Sequence, residues 1–154
     1  MDYRYLGRSA LKVSPLCLGS MMFGDATDEP TSARTIDKAR DQGINFIDTA
    51  DGYAAGRSEE YVGRAIKAHR HHWVLATKFG QPNGPLPNNR GQSRKWIIED
   101  VENSLRRLGT DFIDILYFHR ADSNAPFEEG LRAIEDLTRQ GKLRYYGVSN
   151  FKGW

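Results

Sequence analysis

The sequence predicts an α/β fold built on a parallel sheet. Three observations carry that prediction. Short apolar runs alternate with segments of helical periodicity, the alternation recurs at roughly 30 residues, and successive runs end in polar residues. Strand–helix alternation at that interval implies βαβ units with right-handed crossovers.

Taken in order, the first dozen residues read as a hairpin, "YRYLG" and "LKVSPL" around a Gly-Arg-Ser turn. The strand candidates are "LCLGS" at 16–20, "INFIDTA" at 44–50, "WVLATK" at 73–78, "FIDILYFH" at 112–119 and "LRYYGVSN" at 143–150. "SARTIDKARDQG" and "SEEYVGRAIK" are short helix candidates, each with a capping serine or threonine and early acidic residues. Ile97, Val101, Leu105 and Leu108 form a helical stripe, with Ser93 as N-cap and Gly109 as stop. Phe127, Leu131, Ile134 and Leu137 form another, opened by Pro126 and closed by Gly141. Charged residues on these helices are solvated outer faces.

Composition bounds the function. At 154 residues and 17.5 kDa, with 39% hydrophobic and 27% charged residues, the chain reads as one globular domain, residues 1–154. The net charge of +2 comes from intermixed basic and acidic residues with no basic block, which gives no case for nucleic acid or a membrane surface. Cys17 is the only cysteine, so no internal disulfide forms, and in "PLCLG" it is expected to pack as a small hydrophobe. "MDYRYLGRS" lacks the pattern of a signal peptide and no run approaches a membrane span, so a cytoplasmic setting is expected.

Two architectures accommodate five such strands. One is a small open sheet of the flavodoxin type; the other is five units of an eight-unit barrel, which typically needs about 250 residues. Both place ligand chemistry at the C-terminal ends of the strands. There the sequence sets Asp48, Lys78, His119 and the pair Ser149-Asn150, each group on a different strand. Strand parity adds direction. Ile44, Phe46 and Asp48 share one side; so do Val74, Ala76 and Lys78, and so do Ile113, Ile115, Tyr117 and His119. If those sides face a common interior, an acid, a base and an imidazole converge at its mouth.

Tyr53 follows Asp48 by five residues. A phenol is a poor acid at neutral pH, with a reference pKa of about 10, and a nearby ammonium lowers that value. Lys78 is placed to supply the charge, Asp48 to hold the lysine and His119 to hydrogen-bond a substrate oxygen. Such a set suits carbonyl reduction or its reverse, and the hydride must come from a nicotinamide or flavin.

With these residues in view, the chain resembles the N-terminal part of an aldo-keto reductase. The matching stretches are "DTADGY", "ATKFG", "YFHRAD", "RQGKLRYYGVSNF" and "LKVSPLCLGSMMFG", similar above all to the branch that includes bacterial members and potassium-channel β subunits. The resemblance implies a (β/α)8 TIM barrel, of which this chain supplies the hairpin and about five strand units, and NADPH-dependent reduction of aldehydes or ketones without a metal. It implies Tyr53 as proton donor, Lys78 as its modulator, Asp48 as the lysine's partner and His119 as substrate orienter. Ser149 and Asn150 match positions that hold the nicotinamide carboxamide, and Gly19, Ser20 and Met21 match a segment running along the cofactor ring and substrate. Asp48 belongs to both sets.

The length departs from the family pattern. Five strands cannot close an eight-stranded barrel and leave two sheet edges unpaired. The chain is therefore expected to be a fragment of a longer protein or to be completed by another copy. Two further readings stand beside the enzyme: a nucleotide-sensing regulatory or interaction protein on the same scaffold, and an inert truncated chain.

Other features are expected to be structural. Asp51 shapes the turn after its strand, and Arg120 and Asp122 are expected as loop salt-bridge partners. The cluster of His69, His71 and His72 lacks cysteine or acidic partners at ligand spacing and sits at a helix end on the face opposite the active edge. "GSMMFG" lacks the lysine and hydroxyl of a P-loop, and no Rossmann glycine fingerprint follows any strand. "FGQPNGPLPNNRGQS" is long enough to be a substrate-side loop, with disorder as the near-equal alternative. Met21, Met22 and Phe23 are candidates for a pocket wall or for the core.

Overall fold

The computed structural model describes residues 1–153. The hairpin pairs β1 (Arg4–Tyr5) with β2 (Lys12–Val13), antiparallel, with Arg4 opposite Val13. Then come β3 (Leu18–Gly19), α1 (Glu29–Asp41), β4 (Phe46–Asp48), α2 (Arg57–Ile66), β5 (Val74–Phe79), α3 (Arg94–Leu108), β6 (Ile113–Phe118), α4 (Phe127–Arg139) and β7 (Leu143–Val148). Single 3-10 segments precede and follow α2, at Tyr53–Gly56 and Lys67–His72.

Strands β3 to β7 form one parallel sheet in strictly sequential order. That order decides between the two architectures. A doubly wound open sheet reverses direction at a switch point and carries helices on both faces. Here no reversal occurs and the helices cover one face, so the sheet is an arc of a (β/α)8 barrel.

The two faces differ in kind. On the helix side, Ile47, Leu75, Phe79, Leu116 and Phe118 pack with Ile36, Val62, Ile97, Val101 and Ile134 from the four helices into the main core. On the other face, Val74, Ala76 and Ile115 cluster with Val13 of the hairpin, with Phe46 and Tyr117 packed beside them. The hairpin thus closes the N-terminal end of the inner face, tied there by Ser14 N donating to Asn45 Oδ1 at 2.7 Å. The parity expected for β5 holds. On β4 it holds for Phe46 and on β6 for Ile115 and Tyr117, whereas Ile44 and Ile113, at the entries to their strands, pack with the helix-side core.

Local chemistry accounts for the helix limits. Asp28 caps α1, its carboxylate accepting from Thr31 N at 2.9 Å, and Pro30 follows in the first turn. The sequence reading began this helix at Ser32, which instead lies within it. Ser93 caps α3 and Gly109 ends it in the left-handed region, as the pattern predicts. Helices α2 and α3 cross closely at Gly63, where an added Cβ would meet the Leu108 carbonyl carbon at 2.6 Å. At the edge strand β7, Gly147 leaves room for the Tyr117 ring, whose Cε1 would stand 2.6 Å from an added Cβ.

One expectation changes at the periphery. Cys17 is exposed rather than packed, because β3 has a single strand neighbour and its inner face is bare. The 80–92 loop folds back on itself, Gly91 N donating to Gly80 O at 3.1 Å and Asn83 N to Asn89 O at 2.9 Å. The histidines make local contacts: His72 Nε2 lies 3.0 Å from Ile44 O and the His71 ring stacks on Phe112.

Candidate active site

The C-terminal ends of β4, β5 and β6 bring four side chains together. Lys78 is buried to 8% exposure and its ammonium has three partners. It pairs with the Asp48 carboxylate, donates to Thr49 O at 2.8 Å, and lies 3.1 Å from Tyr53 Oη. The Tyr53 and His119 rings meet edge to face, with centroids 5.9 Å apart at 82°. Register explains the convergence: Asp48 pairs with Ala76, two residues before Lys78, and Lys78 pairs with Tyr117, two before His119. Each reactive side chain therefore stands one pleat higher than the last strand's, on the same face.

Tyr53 reaches this cluster from a turn with unusual backbone. Ala54 and Ala55 both adopt left-handed conformations, φ 50° and 56°, before Gly56 at φ 92° opens α2. Non-glycine residues there cost roughly 1–2 kcal/mol each. Such a turn persists only where its surroundings hold it.

Electrostatics set the charge states. Burial raises the Asp48 carboxyl above its ordinary value, and the hydrogen bond and charge of Lys78 offset part of that. His119 is pushed down, first by burial and then by the Lys78 and Arg120 charges, so its imidazole is neutral at neutral pH. Its Nδ1 is buried without a hydrogen-bond partner among the described residues.

The candidate cofactor residues divide. Asn150, in the left-handed region at φ 56°, uses its amide nitrogen on His119 O at 2.8 Å and Ser149 Oγ at 3.0 Å. Gly19 is exposed, with open space above its Cα, and Met21 is exposed beside it. Ser20 is different. It is fully buried, and its hydroxyl bonds Asp48 O and Ser58 Oγ, each at 2.9 Å. Its side chain braces β4 from behind.

Beneath the site lies a polar layer that the sequence reading passed over. Ser58 Oγ also meets Thr49 Oγ1 at 2.9 Å. Glu59, fully buried on α2, accepts from Thr77 Oγ1 and from Arg107 Nε, both at 2.6 Å. Asp51 and Asp100 are buried beside them. A carboxylate in the first turn of a helix looks like an ordinary cap in sequence; the missing signal was Arg107, 48 residues away. Arg120 and Asp122 make no ion pair among the described residues: Asp122 caps its own loop at Asn124 N, and Arg120 O accepts from Gln92.

The sequence profile of the Aldo/keto reductase family matches residues 15–154. An uncharacterized oxidoreductase of Bacillus subtilis, YrpG, is 43% identical over 100% of this chain and 51% of its own length. A probable voltage-gated potassium channel subunit beta of Arabidopsis thaliana is 41% identical over 98% of this chain and 47% of its own. Among solved structures, the holo form of the aldo-keto reductase AKR11C1 from Bacillus halodurans superposes with a TM-score of 0.87 at 41% identity, covering 97% of this chain and 50% of that one. The chain spans about half the length of the relatives it matches.

Proposed function

We propose that this chain, which belongs to the Aldo/keto reductase family, carries the proton-transfer half of an NADPH-dependent oxidoreductase that reduces aldehydes or ketones to alcohols. The observation that carries this reading is the single ammonium of Lys78 held between the Asp48 carboxylate and the Tyr53 hydroxyl. Tyr53 gives its proton to the carbonyl oxygen of the substrate. The phenolate left behind is stabilised by Lys78 at 3.1 Å, in a site shielded enough for that charge to act strongly. Asp48 and Thr49 O fix the ammonium so that little reorganisation accompanies the proton's departure. His119, neutral and set against the Tyr53 ring, donates a hydrogen bond to the same substrate oxygen and orients it.

The residues present fit a nicotinamide carboxamide. Asn150 directs its amide nitrogen into the protein, which leaves its amide oxygen, with the Ser149 hydroxyl, to hold a carboxamide. Gly19 and Met21 offer an open, partly apolar ledge for the ring. When bound, the reduced nicotinamide supplies the hydride to the carbonyl carbon. The whole protein would act on a small carbonyl substrate, with the barrel completed by further chain or by a second copy.

The reading is tested by replacing Tyr53 with Phe and assaying NADPH oxidation against a panel of aldehydes and ketones. Undiminished turnover would exclude Tyr53 as the acid. The 41% identity to a potassium-channel β subunit favours a second reading, in which bound nucleotide is sensed and not consumed. Calorimetry separates the two: NADPH binding without turnover on any carbonyl supports sensing.

A further inference from the structure

Two buried carboxyls beneath the Tyr53 turn lack the donors that their charges would demand. Asp51 is 0% exposed and Asp100 1%. Asp51 Oδ1 accepts from Gly52 N at 2.7 Å. Asp51 Oδ2 and both Asp100 oxygens have no hydrogen-bond donor among the described residues. The two side chains lie close enough to interact directly, and two carboxylates cannot hydrogen-bond each other, since ionised acids only accept.

The charges around them do not supply a remedy. Glu59, from α2, faces both groups and adds a third acid. Arg107, from α3, is the facing cation; its Nε is committed to Glu59 at 2.6 Å and it stands 3.8 Å from Asp100. Fully ionised, three acids against one base would leave two uncompensated buried charges, which proteins avoid by protonation.

We propose that Asp51 and Asp100 share one proton, held on Asp100 and donated to Asp51 Oδ2, and that this pair is the positioning element that fixes the Tyr53 turn against α3. The claim rests on Tyr53 being the proton donor. Burial, followed by the Asp51 charge, pushes Asp100 up to about 9, and burial pushes Asp51 up to about 6. The pair therefore carries its proton through neutral pH.

The turn needs such an anchor. Asp51 precedes Tyr53 by two residues, and the strained Ala54 and Ala55 follow it. Upstream of that strain the turn is held by Asp51 N donating to Lys78 O at 3.1 Å, Tyr53 N to Ala50 O at 3.2 Å, and the Asp51 side chain. Asp51 sits between β4 and Tyr53, so its carboxyl ties the upstream end of this turn to α3, while the Arg107 side chain of α3 packs on its downstream end at Gly56. Loss of the proton would set two carboxylates against each other and displace the turn, and with it the Tyr53 hydroxyl from Lys78.

The test is NMR on the protein with carboxyl-13C aspartate and ring-13C tyrosine, followed from pH 4 to pH 10. One carboxyl of the pair is expected to remain protonated at pH 7, and the Tyr53 ring signals to shift with its titration. Asp100→Asn keeps a neutral donor, so it is expected to abolish the high carboxyl step while holding Tyr53 in its neutral-pH position. Asp100→Ala is expected to shift Tyr53 at every pH, and if it fails to fold, the unsubstituted titration and Asp100→Asn still decide. Both carboxyls titrating near pH 4, or Tyr53 signals indifferent to the step, would overturn the proposal. Full carbonyl reduction by Tyr53→Phe would instead sink the proton-donor reading and leave the carboxyl result standing.

Discussion

Lys78 Nζ stands 3.1 Å from Tyr53 Oη while also holding the Asp48 carboxylate, so one buried cation joins a strand, its neighbour and the turn between them. Lys78→Met removes that cation without changing the stem's bulk. Carbonyl reduction is expected to fall by roughly 10²–10⁴-fold. Stability is expected to drop by about 2 kcal/mol, less than the 3–5 of a fully buried pair, because the Asp48 side chain is 24% exposed and can protonate. Steady-state kinetics beside a urea titration reads both.

The raised Asp100 carboxyl makes a prediction about stability and pH. Its folded value of about 9 exceeds the unfolded value of about 4, so the folded state binds more protons in between. Stability from this group is complete below about pH 4 and declines as pH rises toward 9, at about 1.4 kcal/mol per pH unit for one proton. Asp100→Asn is expected to flatten that slope, which denaturant midpoints at a series of pH values will show.

Gly63 tests the packing of α2 on α3. Alanine is the better helix former by about 1 kcal/mol. Its Cβ, however, would stand 2.6 Å from the Leu108 carbonyl carbon, a backbone atom that cannot swing aside. Overpacking of this kind costs about 1–3 kcal/mol, so Gly63→Ala is expected to destabilise by about 1–2 kcal/mol. A higher midpoint would show that the helices can part.

At Ala54 the expected sign is opposite. Its φ of 50° is strained for alanine and free for glycine. Relief of about 1–2 kcal/mol exceeds the 0.4–1 kcal/mol that glycine's freer unfolded chain costs. Ala54→Gly is therefore expected to stabilise by up to about 1 kcal/mol, measured by thermal melting.

His119 is pushed below its ordinary value by burial and by the Lys78 and Arg120 charges. At pH 6.5 its ring is expected to be mostly neutral, which long-range 1H–15N spectra would show directly. Because the unfolded chain takes up this proton more readily, His119 also makes stability fall as pH drops below about 6.5.

How much of this was legible in the sequence follows from the range of the forces. The five strands, α3 and α4 were readable because periodicity is a local signal, and the Asp48, Lys78 and His119 convergence because strand parity projects it. What escaped depends on partners distant in sequence. Asp51 read as a turn former; its burial against Asp100 arises from α3 lying over the turn. The Ser20 hydroxyl meets Ser58, 38 positions on, a contact that no local pattern signals. Cys17 read as core because its neighbours are apolar, yet an edge strand offers one neighbour and a bare face. The start of α1 is legible in Asp28 before Glu29-Pro30, an N-cap signature.

The inner face of the sheet bears the reactive side chains, while most of the buried apolar residues lie on the helix side. Substitutions at the mouth of the arc, at Met21 or in the 80–92 loop, therefore leave the folding core almost untouched. The Asp51–Asp100 pair is the exception, because it lies inside the scaffold and directly beneath the turn that carries Tyr53.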